Sequence, residues 1–341
     1  MATTDIHLVK AAFKKQFEIT MSKNGVSADD YFKKVNLPAT ELDPESLLPE
    51  KPFWHLINMV ALEENIADFG SQVAQTTPWH RVSSLAPLIQ HCLSLKHLLE
   101  TFCEITLSQS SATRFTLEEH DSHYTFSYDG LPLYKHDIQM ELYRVTCMIQ
   151  LVQLSTGKDW RPEQISLMMP QNTTLNACGL IKKSKRCFSN KTTSITINRH
   201  LLHLPVRLES NKKNKIVNPE KADLNADFVN SIREIMSSYI LDKHCSIEDI
   251  SSIAGISVRT LQRRLTQHNL KFNELLSQAK FICAKEKLQD TEIQISEIAS
   301  SLGYSDAANF TRAFHRWAGV SPKVFRQGCS RVSMSTHTIA V

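Results

Sequence analysis

The sequence predicts a multidomain fold: an α+β N-terminal domain, then an all-α C-terminal domain holding two helix-turn-helix units joined by a long helix. Three observations predict it. Short β-prone runs interrupt helical periodicity within the first 210 residues. A polar, lysine-rich stretch follows at 210–221, SNKKNKIVNPEK, which has too little apolar surface to pack as core. Beyond it no proline occurs between Pro219 and Pro322, and apolar residues recur at helical spacing. A chain of 341 residues is long enough for two domains with separate cores. The divisions expected are 1–210, a linker at 211–222, a helical domain at 223–330 and a tail at 331–341.

The first 75 residues read as helical, with Ile6, Val9, Phe13 and Phe17 near helical spacing and Lys10, Lys14 and Lys15 between them. The segment 37–52 carries Pro38, Pro44 and Pro49 and reads as loop or short turns. Helical periodicity returns over 53–68 and again over 85–107. The runs 113–117 and 124–128 are β-prone, separated by the polar stretch 118–123. A long helix is expected over 136–154, with Ile138, Leu142, Val145, Ile149 and Val152 on one face. Short strands are expected at 164–168, 186–188 and 194–197.

The helical domain contains two similar segments. In 246–268, SIEDISSIAGISVRTLQRRLTQH, Ser246 and Asp249 have the spacing of a capping box. Ile247, Ile250, Ile253 and Ala254 form one face, and Gly255 supplies the positive φ of a tight turn. Ser257 can cap the next helix. There Val258, Leu261 and Leu265 face the core, while Arg259, Gln262, Arg263 and Thr266 take the opposite side. No acid occurs between Asp249 and Glu274. Such a helix joins an apolar face to a face that can read bases: arginine bonds guanine bidentately and glutamine pairs with adenine.

The pattern recurs about 48 residues later in 295–317, ISEIASSLGYSDAANFTRAFHRW. Ile295, Ile298, Ala299 and Leu302 make the supporting helix, Gly303 the turn, and Ser305 the expected cap. Phe310, Ala313, Phe314 and Trp317 point inward; Ala308, Thr311, Arg312, His315 and Arg316 remain outside. A long helix over 273–289 joins the units, with Leu275, Leu276, Ala279, Ile282 and Leu288 mostly on one side. From residue 222 onward 14 Lys and Arg stand against 12 Asp and Glu, so charge is segregated rather than abundant. The cations gather on the two second helices and in the C-terminal segment, where Arg312, Arg316, Lys323, Arg326 and Arg331 meet no acid after Asp306.

The segment 295–326 closely resembles the signature of AraC/XylS-type bacterial transcription regulators. The resemblance rests on Ile295, Ile298 and Ala299, on Gly303–Tyr304, on the pair Phe310 and Phe314, on Arg312, and on the closing GVSPKVFR at 319–326. Ser257, Leu261, Gln262, Arg263 and Leu265 fit the first unit. The match covers about 100 residues. It implies that the two units enter successive major-groove segments on one face of double-stranded promoter DNA. Carried over by position, Arg259, Gln262 and Arg263 read bases from the first helix, and Ala307, Ala308, Thr311 and Arg312 from the second. Thr266, on the same outer face, is a further DNA-binding candidate, and Arg264, Arg316 and Lys323 fall to phosphate. The two alanines can touch thymine methyls but cannot hydrogen-bond a base edge, so the second unit is expected to read less strictly.

The N-terminal part resembles, less sharply, the arabinose-binding-type effector domain of the ornithine-utilisation branch. The carriers are Trp160, Arg161 and Pro162, the strand-like 185–188 and 194–197, and 201–205. The resemblance implies an activator that acts with RNA polymerase, pairs as a homodimer and senses a small molecule. No residue specifies the effector; an apolar molecule or fatty acid is one kind the resemblance admits. A constitutive dimeric regulator without ligand is the alternative.

Other classes fit less well. Methyl-transferring DNA-repair enzymes share such a DNA-binding domain but carry an N-terminal four-cysteine zinc cluster; here the first cysteine is Cys92 and no metal spacing follows. No G-x-S-x-G occurs. The S-x-x-K matches at 277–280 and 210–213 fall in a helix and in the linker. The pairs His120/His123 and His200/His203 lack a supporting ligand cluster beyond Asp121, so no metal or cofactor is expected. Phe115, Tyr124, Phe126, Tyr128, Tyr134 and Tyr143 could line an effector cavity, though aromatics so dense usually form plain core. The basic run 182–186, KKSKR, reads as a solvated loop or an anion site. No apolar h-region follows residues 1–10 and no apolar run reaches 18 residues, so a cytoplasmic protein with reduced thiols and no membrane anchor is expected.

Overall fold

In the computed structural model the described residues are 6–82, 85–129, 137–172, 175–176, 178–207, 228–241, 245–289 and 292–328. The expected linker, the tail, Tyr134, Arg331 and the match at 210–213 lie outside them. The chain divides into two units, one formed by residues 7–226 and one by residues 227–341 with the first six.

The N-terminal unit opens differently from its periodicity. Leu8–Lys10 is a short strand, β1, and the first helix, α1, begins at Lys14 and runs to Lys23. Strand β1 pairs antiparallel with β2, Leu47–Pro49, inside the proline-rich stretch expected to be loop. Non-local pairing decides both segments, and Pro49 is tolerated because it ends its strand. Helix α2 is Ala28–Lys34, and α3, Glu50–Glu63, starts three residues before its apolar period does. Helix α4 is Phe69–Thr76. The expected helix over 85–107 is two: α5, Ala86–Ile89, and α6, Leu95–Ile105. Ser94 separates them, because its hydroxyl accepts the His97 N–H and restarts the helix as an N-cap.

Five strands form one sheet in the order β3-β4-β7-β5-β6: Arg114–Glu119, His123–Asp129, Thr193–Asn198, Gln164–Ser166 and Lys185–Cys187. All pairings are antiparallel except β5 with β6. The register sets Phe115 opposite Tyr128, Phe126 opposite Ile195 and Tyr124 opposite Ile197, so one face is a continuous buried layer. Helix α7, Ile138–Thr156, is buried around most of its circumference rather than on the single face expected; Met140, Cys147, Met148 and Leu151 are as inaccessible as Ile149. It is the central helix of the unit, with α3, α4, α6 and the sheet around it. Helix α4 approaches it so closely that a Cβ on Gly70 would lie 2.0 Å from the Gln139 carbonyl oxygen.

The C-terminal unit is all helical over its described residues: α8, Phe228–Tyr239; α9, Ile247–Ile253; α10, Val258–Gln267; α11, Phe272–Gln289; α12, Ile295–Ser301; α13, Ala307–Ala318. A final helix covers 322–328. Along α11 Leu275, Ala279 and Leu288 are buried as expected, but Ile282 is 51% exposed, and Cys283 and Ala284 take its place inside. The inward stripe of this 18-residue helix shifts along its length because 3.6 residues per turn do not repeat on a fixed spacing. No disulfide joins the seven described cysteines, five of which are buried.

Candidate nucleic-acid interface

The first helical pair is built from local hydrogen bonds. Ser246 Oγ accepts the Asp249 N–H at 3.0 Å, and Asp249 Oδ2 accepts the Ser246 N–H at 3.1 Å, closing the capping box of α9. Gly255 has φ +69°, where an L side chain is strained, and the chain reverses there. Ser257 Oγ accepts the Thr260 N–H at 3.1 Å and starts α10. Leu261 and Leu265 are buried, which turns Arg259, Gln262, Arg263 and Thr266 to solvent. Val258 is only half-buried. The Thr266 hydroxyl donates to the Gln262 carbonyl at 2.9 Å, so its proton is committed within the helix. Arg264 differs from its neighbours: it is half-buried, with its guanidinium 4.8 Å above the Phe228 ring. It braces α10 against α8.

The second pair has the same path with other chemistry. Gln294 and Glu297 form the capping box of α12, an exchange that a Q-x-x-E reading would have found. Gly303 has φ +74°. The cap of α13 is Asp306 and not Ser305: Asp306 Oδ1 accepts the Asn309 N–H at 2.6 Å. Ser305 is one residue too early; it accepts from Asn309 Nδ2 at 2.8 Å instead. The Asn309 N–H bond, followed by the Ser305 hydroxyl, the Ala308 N–H and the Arg312 charge, holds the Asp306 carboxyl below the usual carboxylate range. Asn309 was not singled out in the sequence, yet its side-chain oxygen accepts from Arg312 Nη2 and orients that guanidinium.

Phe310, Ala313 and Phe314 are buried, so Ala308, Arg312, His315 and Arg316 are exposed; Ala307 and Thr311 are half-buried. The Thr311 hydroxyl donates to the Ala307 carbonyl at 2.7 Å. The core of this pair is aromatic: Phe314 meets Phe281, Phe310 and Phe325 at ring separations of 5.5, 5.8 and 5.5 Å. Trp317, half-buried, lies 5.7 Å from Phe281. Lys323 is exposed, while Arg326 donates to the Ile293 carbonyl at 2.7 Å and ties the last helix to the segment before α12. The structure thus exposes Arg259, Gln262, Arg263 and Thr266 of the first helix, exposes Ala308 and Arg312 of the second while half-burying Ala307 and Thr311, and sets Arg264 apart.

The N-terminal unit holds a second region of interest. Aromatic side chains, among them Phe17, Phe53, Trp54, Trp79, Phe115 and Tyr143, enclose a cavity of ≈ 50 Å³. Of the aromatics expected to line one, Phe115 and Tyr143 do so, whereas Tyr124, Phe126 and Tyr128 belong to the buried sheet layer. Glu50 lines it too; burial pushes its carboxyl up to about 7, against the Arg144 charge and the Ser110 and Trp54 hydrogen bonds. Arg144 is buried, with its guanidinium 4.0 Å from the Tyr128 ring centroid and both terminal nitrogens without a hydrogen-bond partner. His120 and His123 stack at 4.6 Å, and no group of three or more metal-binding side chains occurs among the described residues. In the basic run Lys182, Lys183 and Lys185 are exposed, Ser184 is buried, and Arg186 bonds Asn176 at 3.0 Å. Lys185 lies on the sheet's edge strand, where a charge also discourages further strand pairing. Among the described residues no helix is long and apolar enough to cross a membrane.

Residues 25–206 match the family described as the arabinose-binding domain of AraC transcription regulators, and residues 250–328 match a helix-turn-helix domain family. The HTH-type transcriptional regulator VirS of Mycobacterium tuberculosis is 22% identical over 340 residues, spanning 94% of this chain and 96% of its own. The transcriptional activator CfaD of Escherichia coli is 29% identical over 125 residues, 37% of this chain and 46% of its own. The crystal structure of the regulator CdpR from Pseudomonas aeruginosa superposes with a TM-score of 0.36 at 16% identity, covering 88% of this chain and 96% of that one. With both segments matched, the chain belongs to the AraC family of DNA-binding transcription regulators, and its N-terminal domain is of the arabinose-binding type.

Proposed function

We propose that this regulator reads promoter DNA through the outer faces of α10 and α13. Arg259, Gln262, Arg263 and Thr266 are assigned to the first major-groove segment. Ala307, Ala308, Thr311 and Arg312 are assigned to the second, with Arg316 and Lys323 on phosphate. The observation that carries this reading is the shared geometry: each helix buries its apolar stripe and leaves a cationic or small-residue face open. Arg264 supports α10 from within and is the weakest of the phosphate assignments. A pull-down of genomic DNA at one fixed salt concentration tests it, comparing wild type with the Arg259→Ala/Arg312→Ala double variant. Discrete sites lost in the variant support the assignment; the same sites retained by it overturn the assignment.

The rest of the mechanism is proposed on the same footing. Residues 1–210 bind an effector and pair two chains, residues 211–222 connect, residues 223–330 bind DNA, and the bound dimer activates transcription with RNA polymerase. An effector shifts the DNA-binding state only by binding one arrangement more tightly than another. The aromatic cavity beside Glu50 supports an apolar ligand group, and at ≈ 50 Å³ it admits only a small one unless its walls part. Trp79→Ala, which enlarges that cavity, is expected to change effector response without changing the DNA sites bound; unchanged response to every active effector removes the cavity from the mechanism.

A further inference from the structure

A groove of ≈ 1070 Å³ opens between the two helix pairs of the C-terminal unit. Gln262 and Thr266 of α10 form one wall, and Arg316 with Trp317 of α13 forms another. Lys271, just before α11, and Asn273, Glu274 and Gln278 within it complete the polar part of the lining. Gln262, Thr266 and Arg316 are exposed and lie on the same helix faces as the proposed readers, so each of these walls adjoins a reader face. The last turns of α10 and α13 contribute Leu265, Thr266, Arg316 and Trp317, and the rest of the lining comes mostly from residues 245–247 and 270–278. The lining charges are Lys271 and Arg316 against one acid, Glu274, whose Oε2 accepts the Lys271 N–H at 3.3 Å. No hydrogen bond among the described residues engages the Lys271, Asn273 or Gln278 side chains.

We infer that this groove seats the sugar-phosphate backbone running between the two major-groove segments, with Lys271, Asn273, Gln278 and Arg316 as its donors. The inference rests on the reading of α10 and α13 as groove-entering helices. A recognition helix meets base edges with its N-terminal residues. Its last turns therefore lie back toward the strand that borders the groove. Two such helices in successive major-groove segments must have a backbone strand pass between them, and the concave surface left there sets two cations and amide side chains among apolar ones such as Leu265, Leu270 and Trp317. Neutral amides beside cations suit phosphodiester oxygens, which accept hydrogen bonds and carry charge but no sequence information. Glu274 opposes the phosphate and limits the strength of the seat.

The test measures affinity of the full chain, across a salt series, for a duplex carrying a selected site and for a randomised duplex. Lys271→Ala is expected to weaken both to the same extent, about fivefold, and to reduce the salt slope by about 0.9. Glu274→Gln is expected to tighten both. Methylphosphonate linkages placed between the two major-groove segments are expected to weaken wild type more than Lys271→Ala, a coupling that loss of folding cannot produce. Unchanged affinity and slope in both variants overturn the inference while discrete wild-type binding leaves the reader assignment standing. A change of base preference in Lys271→Ala also overturns it, because the groove would then read bases. Absence of discrete binding by wild type, with and without cell extract, fails the reader assignment itself.

Discussion

The two helix pairs of the C-terminal unit follow one path with opposite investments. The first packs on aliphatic residues, Ile250, Ile253, Leu261 and Leu265, and exposes long side chains, Arg259, Gln262 and Arg263. The second packs on rings, Phe310 and Phe314 with Phe281, Tyr304 and Trp317 around them, and exposes Ala308, Arg312, His315 and Arg316 while Ala307 and Thr311 are half-buried. Even the cations differ. Arg312 is held by Asn309, which is held in turn by Ser305 and the Asp306 cap, whereas among the described residues no such chain restrains Arg259. A tethered arginine loses less freedom on binding a base but tolerates fewer geometries. The contrast teaches that a shared backbone path does not imply a shared task. On the proposed reading the first pair discriminates bases, and the second anchors the domain with few, prearranged contacts.

The largest expected effects concern the cores. Phe314→Ala should destabilise the second pair by about 3–5 kcal/mol, and Leu261→Ala the first by about 2–5 kcal/mol. Hydrogen exchange followed by region in the full chain measures each; equal loss of protection in both pairs from either variant would merge them into one cooperative unit and erase the contrast. Next come the readers. Arg259→Ala and Arg312→Ala should each cost about 1–3 kcal/mol of specific binding. Site selection from random duplexes should show Asn309→Ala relaxing preference at the position Arg312 reads, with no such effect at the position of Arg259. If Asn309→Ala leaves preference intact, the tether has no role in reading.

Smaller effects sharpen the difference in caps. Ser257→Ala should cost about 1 kcal/mol, read as a lowered urea midpoint. In the second pair the cap is a carboxylate whose folded-state value lies below the ordinary 3.8, so its stabilisation is present above that pH and fades as pH falls through the folded value. The first turn of α13, followed by NMR, should therefore loosen on acidification below 3.8 in wild type, while Asp306→Asn should remove that dependence. Loosening identical in the variant would assign the acid sensitivity elsewhere.

Much of the C-terminal unit was legible because its determinants are local. A capping box, a glycine at positive φ and an apolar stripe lie within a few residues of one another, so Ser246, Gly255 and Leu261 declare the first pair without help from the rest of the chain. Ser305 was misread by one position because Ser305 and Asp306 are both good caps and only the backbone path distinguishes them. Arg264 looked like its neighbours until Phe228, 36 residues earlier, took its guanidinium. The N-terminal unit was less legible. The β-prone runs found the five-strand sheet, but the pairing of residues 8–10 with 47–49 and the burial of nearly the whole of α7 depend on partners distant in sequence.

By itself the sequence determined the two repeated helix pairs, the long helix between them, the family and the side chains that face outward on α10 and α13. These follow from short-range hydrogen bonding and the helical period, which neighbouring residues settle among themselves. Only the tertiary structure decided the strand pairing at the start of the chain, the buried Glu50 lining an aromatic cavity, the burial of Arg144, and the groove that Lys271 and Arg316 both line. Those arrangements are products of packing, where the energy of a residue is set by surfaces it meets after the chain has folded back on itself.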